Sequence, residues 1–165
     1  MAEKVKRKNR AKIAIGSYSM LENENKLAKI QFYDPDIGYE NLWASRINEN
    51  RYRIESIPFF IYGVSLGDIV IVTPDDEGHL QFGRVVKRSG HRTLRARSDG
   101  LIKNAARRKK VVTSLKRLGS DVEVLRSRLL AINVPSEVNL EAITNFLTNE
   151  AKLNWEYGNP KKLNG

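Results

Sequence analysis

The stretch His91–Gly119, HRTLRARSDGLIKNAARRKKVVTSLKRLG, sets the fold class, because its apolar period changes from two to a helical one. In His91–Ser98, alternation places His91, Thr93, Arg95 and Arg97 on one face of a strand and Arg92, Leu94, Ala96 and Ser98 on the other. The strand ends at Asp99-Gly100. A helix then runs to about Leu118, with Leu101, Ala105, Val112 and Leu115 expected inside and Gly119 at the position where helices favour a left-handed residue. Downstream, Val122–Leu125 and Arg128–Val134 read as a hairpin around Arg126-Ser127. Pro135 stops it, and Ser136 or Asn139 can cap a helix carrying Leu140, Ile143, Leu147 and Ala151. Leu153–Tyr157 reads as a last strand. The order is β-α-β-β-α-β, the ferredoxin-like arrangement.

Upstream the pattern is β. Ile13–Met20 and Leu27–Tyr33 can pair around Glu22-Asn23-Glu24-Asn25. Leu42–Ile47 and Arg51–Ile57 flank the polar turn Asn48-Glu49-Asn50. Tyr52, Ile54 and Ser56 alternate with Arg51, Arg53 and Glu55, as in a half-buried antiparallel strand. Asp68–Thr73 is apolar on both faces and reads as buried and central. Pro74–Gly78 is a turn, and His79–Lys87 continues as a strand in which Gly83 marks a bulge. The expected class is α+β: a small, bent antiparallel β-sheet or partial barrel followed by a ferredoxin-like half. The expected divisions are a basic tail over 1–12 read as disordered, a β-rich subdomain over 13–90, a ferredoxin-like subdomain over 91–158 and a tail over 159–165.

Several blocks carry a family signature: Glu40–Ala44, Arg51–Ile54, Ile57–Phe60, Gly63–Val70, Val85-Val86 with Ser89–His91, and Leu129–Ile132 with Val134-Pro135. Together they resemble the bacterial domain of unknown function DUF4265, over roughly Lys29 to Tyr157, with Ile57–Val70 the most specific part. The resemblance implies a fold signature without catalytic roles, and an association with toxin–immunity neighbourhoods. In plain physical terms, Trp43, Phe59, Phe60 and Tyr62 read as core and rim aromatics. Gly63 and Gly67 permit turn dihedrals, and Asp68 is placed to accept hydrogen bonds from a turn backbone.

The chain has 165 residues, long enough to bury roughly two-thirds of its unfolded surface without a covalent staple. It has no Cys and two His, which excludes disulfides, thiolate metal sites and a cysteine nucleophile. No apolar run reaches membrane-span length and the start lacks a signal-peptide core, so a cytoplasmic location is expected. The net charge of +10 is uneven: residues 1–12 hold six bases and one acid, and residues 84–117 hold 13 bases and one acid. The remainder is therefore −7, since +5 and +12 sum to +17. A field concentrated in this way attracts polyanions or acidic partners.

No phosphate loop, dinucleotide fingerprint or zinc-protease His pair is present. His79 with Asp75, Asp76 and Glu77 reads as a solvated turn, and Ser89-Gly90-His91 lacks a third member for nucleophilic chemistry. No cofactor or metal is expected. Ten residues make the candidate binding surface: Arg92, Arg95 and Arg97 on the strand, and Lys103, Arg107, Arg108, Lys109, Lys110, Lys116 and Arg117 on the helix. Strand and helix are expected to form one continuous cationic face. The strand and the hairpin after the helix carry no aromatic for base stacking, so sequence-specific RNA readout is not expected. The leading expectation is a non-enzymatic binding protein of immunity type, with that face against an acidic partner such as a toxin. One alternative is nucleic-acid backbone binding. Another is a small-ligand regulatory module, which needs a cavity between the two halves.

Overall fold

Five strands close on themselves to form the first half. The computed structural model describes residues 27–97, 100 and 103–159. The expected strand at 13–20, the 1–12 tail and residues 160–165 lie outside that range. β1 (Leu27–Asp34) pairs antiparallel with β2 (Gly38–Arg46), which begins four residues earlier than hydrophobicity suggests. The turn between them is local chemistry: Asp34 Oδ1 accepts the N–H groups of Asp36 (2.9 Å) and Ile37 (3.2 Å), and Gly38 takes φ 93°. β3 (Arg51–Ile54) stops short of the expected Ile57. Beyond it the chain still follows β2, with Glu55 N–H donating to the Trp43 carbonyl at 2.8 Å and Trp43 N–H donating to Ser56 Oγ at 3.0 Å.

β4 (Ile69–Pro74) and β5 (Leu80–Lys87) complete a closed barrel in the order β1-β2-β3-β4-β5, with β5 returning parallel to β1. This replaces the expected bent sheet or partial barrel. Closure also corrects the reading of β4, where Val70 and Val72 are buried while Ile69 and Ile71 are half-buried on the outer wall. Ile30, Phe32, Leu42, Ala44 and Ile54 fill the interior with them. The Gly83 bulge is present: Ile71 pairs with Arg84 and Val72 with Phe82, so Gly83 is skipped. A Cβ there would stand 3.1 Å from the Ile71 carbonyl oxygen. The bulge lets both Phe82 and Val85 reach the core despite their odd spacing.

The second half runs β6 (Arg92–Arg97), α1 (Ala105–Arg117), β7 (Asp121–Leu125), β8 (Leu129–Val134), α2 (Leu140–Asn145) and β9 (Asn154–Asn159). Its sheet is antiparallel in the order β7-β8-β6-β9, so the protein is α+β. Asn104 caps α1, accepting the Arg107 N–H at 2.9 Å, and Gly119 ends it at φ 97°. Val111 and Leu115 form the buried face with Val112 beside it. Ala105, expected inside, is exposed because the helix starts there, and Leu101 lies outside the described residues. Asn139 caps α2, accepting from Ala142 N–H at 3.1 Å, whereas Ser136 bonds Glu137. α2 continues as a π-helical turn, Phe146–Glu150, which seats Phe146 and Leu147 in the core.

The halves hold separate apolar clusters, and polar bonds join them. Both helices' buried residues pack with Leu94, Ala96, Leu130 and Ile132, on one face of the sheet. The barrel's 57–68 segment crosses the other face. There Ser65 Oγ meets Thr93 Oγ1 at 2.9 Å, Gly63 N–H donates to Gly158 O at 3.0 Å, and Ile57 N–H donates to Glu123 Oε1 at 3.3 Å. Asp68, fully buried beside this crossing, accepts from Ser65 N–H, Ser89 N–H and Arg88. That is the turn-backbone role expected from Gly67-Asp68. No helix among the described residues is long and apolar enough to cross a membrane.

Candidate functional site

The cationic residues divide between two sides of the sheet. Arg92 is exposed at the start of β6, on the side of Leu94 and Ala96. Arg95 and Arg97 project to the opposite side, under the barrel segment. Leu94 and Ala96 pack against α1 through Val111 and Leu115, so the sheet stands between Arg95, Arg97 and the helix. The continuous strand-and-helix surface does not form. Arg95 is 4% exposed and unavailable as a phosphate contact. Its guanidinium donates to the Ile61 carbonyl, lies 4.3 Å from the centre of the Tyr62 ring and reaches Glu156 at 3.5 Å. Alternation pairs it with Arg97 and so points to a surface cation, but alternation says nothing of the segment that covers it.

The helix keeps most of its expected cations outside. Lys109 and Lys116 lie along one side of the exposed ridge formed by Ala106 and Thr113, and Lys110 and Arg117 lie along the other. Lys103 is exposed just before the cap. Arg108 is half-buried, and Arg107 turns back to donate to Ala151 O at 2.8 Å, tying α1 to the end of the π turn. Between Gly100 and Gly119 there are seven cations and no acid. Lys103, Lys109, Lys110, Lys116 and Arg117 form no ion pair with a described residue.

A cleft of about 330 Å³ opens where the barrel overhangs the sheet. Its floor is the β6–β9 surface with Arg97, Asn154 and Glu156. Leu129 extends the floor, and Ile37, Phe59, Phe60 and Tyr62 form the wall. Glu40 holds that wall: its carboxylate accepts the successive N–H groups of Phe59 (2.7 Å), Phe60 (3.0 Å) and Ile61 (2.8 Å). The aromatics expected as core and rim are rim residues, with Phe60 40% and Trp43 45% exposed. Tyr62 Oη donates to Glu156 at 2.8 Å. That bond, then burial and the Glu156 charge, push the Tyr62 hydroxyl above its usual range, with Arg95 opposing. Sequence reasoning missed the cleft, because its two sides lie more than thirty residues apart in the chain.

The remaining candidates are structural in their contacts. His79 sits 3.4 Å from Asp75 and 3.5 Å from Glu77 on an exposed turn. Among the described residues no group of three or more His, Asp or Glu side chains is placed to hold a metal ion. His91 Nδ1 meets Asn133 Oδ1 at 3.0 Å, and Asn133 Nδ2 donates to Asp121 at 3.1 Å. Ser89 Oγ accepts the His91 backbone N–H at 3.2 Å, so this bond is a turn contact.

Comparison with known proteins adds a family and a fold. The family model described as "Domain of unknown function (DUF4265)" matches residues 40–157, beginning later than the Lys29 suggested by the motifs. The search of curated proteins gives no match. Among solved structures the chain is similar to a hypothetical protein from Neisseria gonorrhoeae. The TM-score is 0.64 and the identity 18%, covering 81% of this chain and 95% of that one. At that identity the likeness speaks for the fold.

Proposed function

The chain belongs to the DUF4265 family, and from that premise we propose that it is a non-enzymatic binding protein of immunity type, docking an acidic protein partner on the outer face of α1. One observation carries the reading. Seven cations and no acid lie between Gly100 and Gly119, and most of them face solvent. Arg107 and Arg108 sit in the first turn, where the helix dipole disfavours positive charge. The dipole favours Lys116 and Arg117 in the last turn but not the two first-turn arginines, whereas an acidic partner surface would favour the whole row. The order β-α-β-β-α-β with strand order β7-β8-β6-β9 supports reading the second half as ferredoxin-like. The reading includes a cytoplasmic setting, in keeping with the absence of Cys.

The test is co-purification with the product of the adjacent gene, followed by titration at rising salt. Charge reversal at Lys109, Lys110 and Lys116 should weaken the complex at least a hundredfold, mainly through slower association and loss of rim attraction. A complex that survives the reversal unchanged overturns the reading. Salt-sensitive binding to mixed RNA or DNA, lost in the same variant, without a protein partner, assigns the face to nucleic-acid backbone instead.

A further inference from the structure

We propose that the cleft between barrel and sheet binds a small anion carried on a flat apolar body, an aryl carboxylate in chemical class, with Arg97 as its counter-ion. This site is on the other side of the sheet from α1 and does not depend on the partner reading.

Charge selects the sign of the ligand. Glu156 is the carboxylate in the lining, and it is engaged by the Tyr62 hydroxyl at 2.8 Å and by Arg95 at 3.5 Å. Arg95 in turn is directed to the Ile61 carbonyl. Arg97 is exposed and makes no ion pair with a described residue, so the lining carries one uncompensated positive charge. Strand pairing sets Leu129, Arg97 and Asn154 in one row across β8, β6 and β9. A carboxylate over that row would meet a guanidinium, the residue type best shaped to take it in two parallel bonds, with an amide beside it.

Shape selects the body. The wall presents the Phe59 and Phe60 rings, 6.4 Å apart, and the edge is closed by Ile37, 42% exposed. Covering such rings with a flat apolar group removes surface from water on both partners. The volume of about 330 Å³ is at the small end of ligand pockets, which fits one or two fused rings and excludes an extended polymer. The wall is already ordered, because Glu40 fixes three consecutive amides behind it. Binding therefore needs little ordering of the protein.

Titration of 2-naphthoate into the full chain, followed by backbone and indole NMR signals, tests the site. The expected result is saturable shifts at residues 95–97 and 154–156. 2-Naphthylmethanol, which lacks the charge, and acetate, which lacks the rings, should each bind at least tenfold more weakly. Arg97→Gln should weaken naphthoate about tenfold or more. Phe60→Ala, at an exposed position, should weaken naphthoate and naphthylmethanol alike by a few-fold. Naphthoate binding no better than its alcohol, or binding to folded Arg97→Gln at wild-type strength, overturns the proposal. If Arg97→Gln loses its dispersed spectrum, the alcohol comparison and Phe60→Ala decide the matter.

Discussion

Arg95 and Asp75 show what one side chain adds: Arg95 ties the 57–68 segment to the sheet, and Asp75 reinforces a turn already closed by its own N–H to the His79 carbonyl at 2.9 Å. Replacing Arg95 with Met leaves the Ile61 carbonyl without its donor and removes the stack on Tyr62. The expected loss is about 2–3 kcal/mol, measured as a lower urea midpoint at unchanged slope. Glu156 is half-exposed and can rehydrate, so it adds little to that loss. Arg95→Lys should not restore the loss, since an ammonium lacks the planar fork that lies on Tyr62. Asp75 gives a pH signature. Desolvation pushes its carboxyl up, but the His79 N–H, the Gln81 amide and the Glu77 N–H together hold it below the usual range. A carboxyl with a lowered folded-state pKa contributes stability above its unfolded pKa and loses it as pH falls through the folded value. NMR titration should place Asp75 below a free Asp, and Asp75→Asn should flatten this acid-side change. At this scale local chemistry was legible: Gly67-Asp68 announced its turn bonds. The role of Arg95 was not legible, because it depends on Ile61, 34 residues upstream.

At the level of elements, caps, the bulge and the β2–β3 and β7–β8 hairpins were readable, and the β1–β2 hairpin was not. Asn139 and Gly119 act within a few residues of themselves, so sequence suffices for them. The β1–β2 hairpin escapes a sequence reading that pairs Leu27–Tyr33 with Ile13–Met20, although Asp34-Pro35-Asp36-Ile37-Gly38 carries turn residues. β4 looked like a central strand because its outer isoleucines remain half-covered on a curved wall. Gly119 tests the helix boundary. At φ 97° any side chain is strained, and a Cβ would stand 2.8 Å from Val138 Cγ2. Gly119→Ala should therefore cost about 1–3 kcal/mol, seen as a lower thermal midpoint with the helix signal otherwise retained.

For the whole molecule, the family match and the fold do not share a boundary. The match begins at residue 40, yet β1 supplies Ile30 and Phe32, both essentially buried in the barrel. A fragment spanning 40–157 should lose near-ultraviolet dichroism and bind hydrophobic dyes, whereas one spanning 27–159 should keep native dispersion. Charge polarity was visible in the sequence as two basic runs. Its division by the sheet, with α1 on one side and the Arg97 cleft on the other, required the register of β6. The barrel's closure also has a consequence in time. β1 and β5 meet through only two register pairs, Ile30 with Leu80 and Gln31 with Gln81, reinforced by the Gln81–Gln31 bond of 2.8 Å and the Phe32–Phe82 stack. The other pairings inside the barrel join neighbours in sequence, but this one must bring together segments fifty residues apart. Loop-closure entropy makes it the late step of folding. The same short seam is where the barrel should first breathe, so its amides would mark the earliest opening in hydrogen exchange.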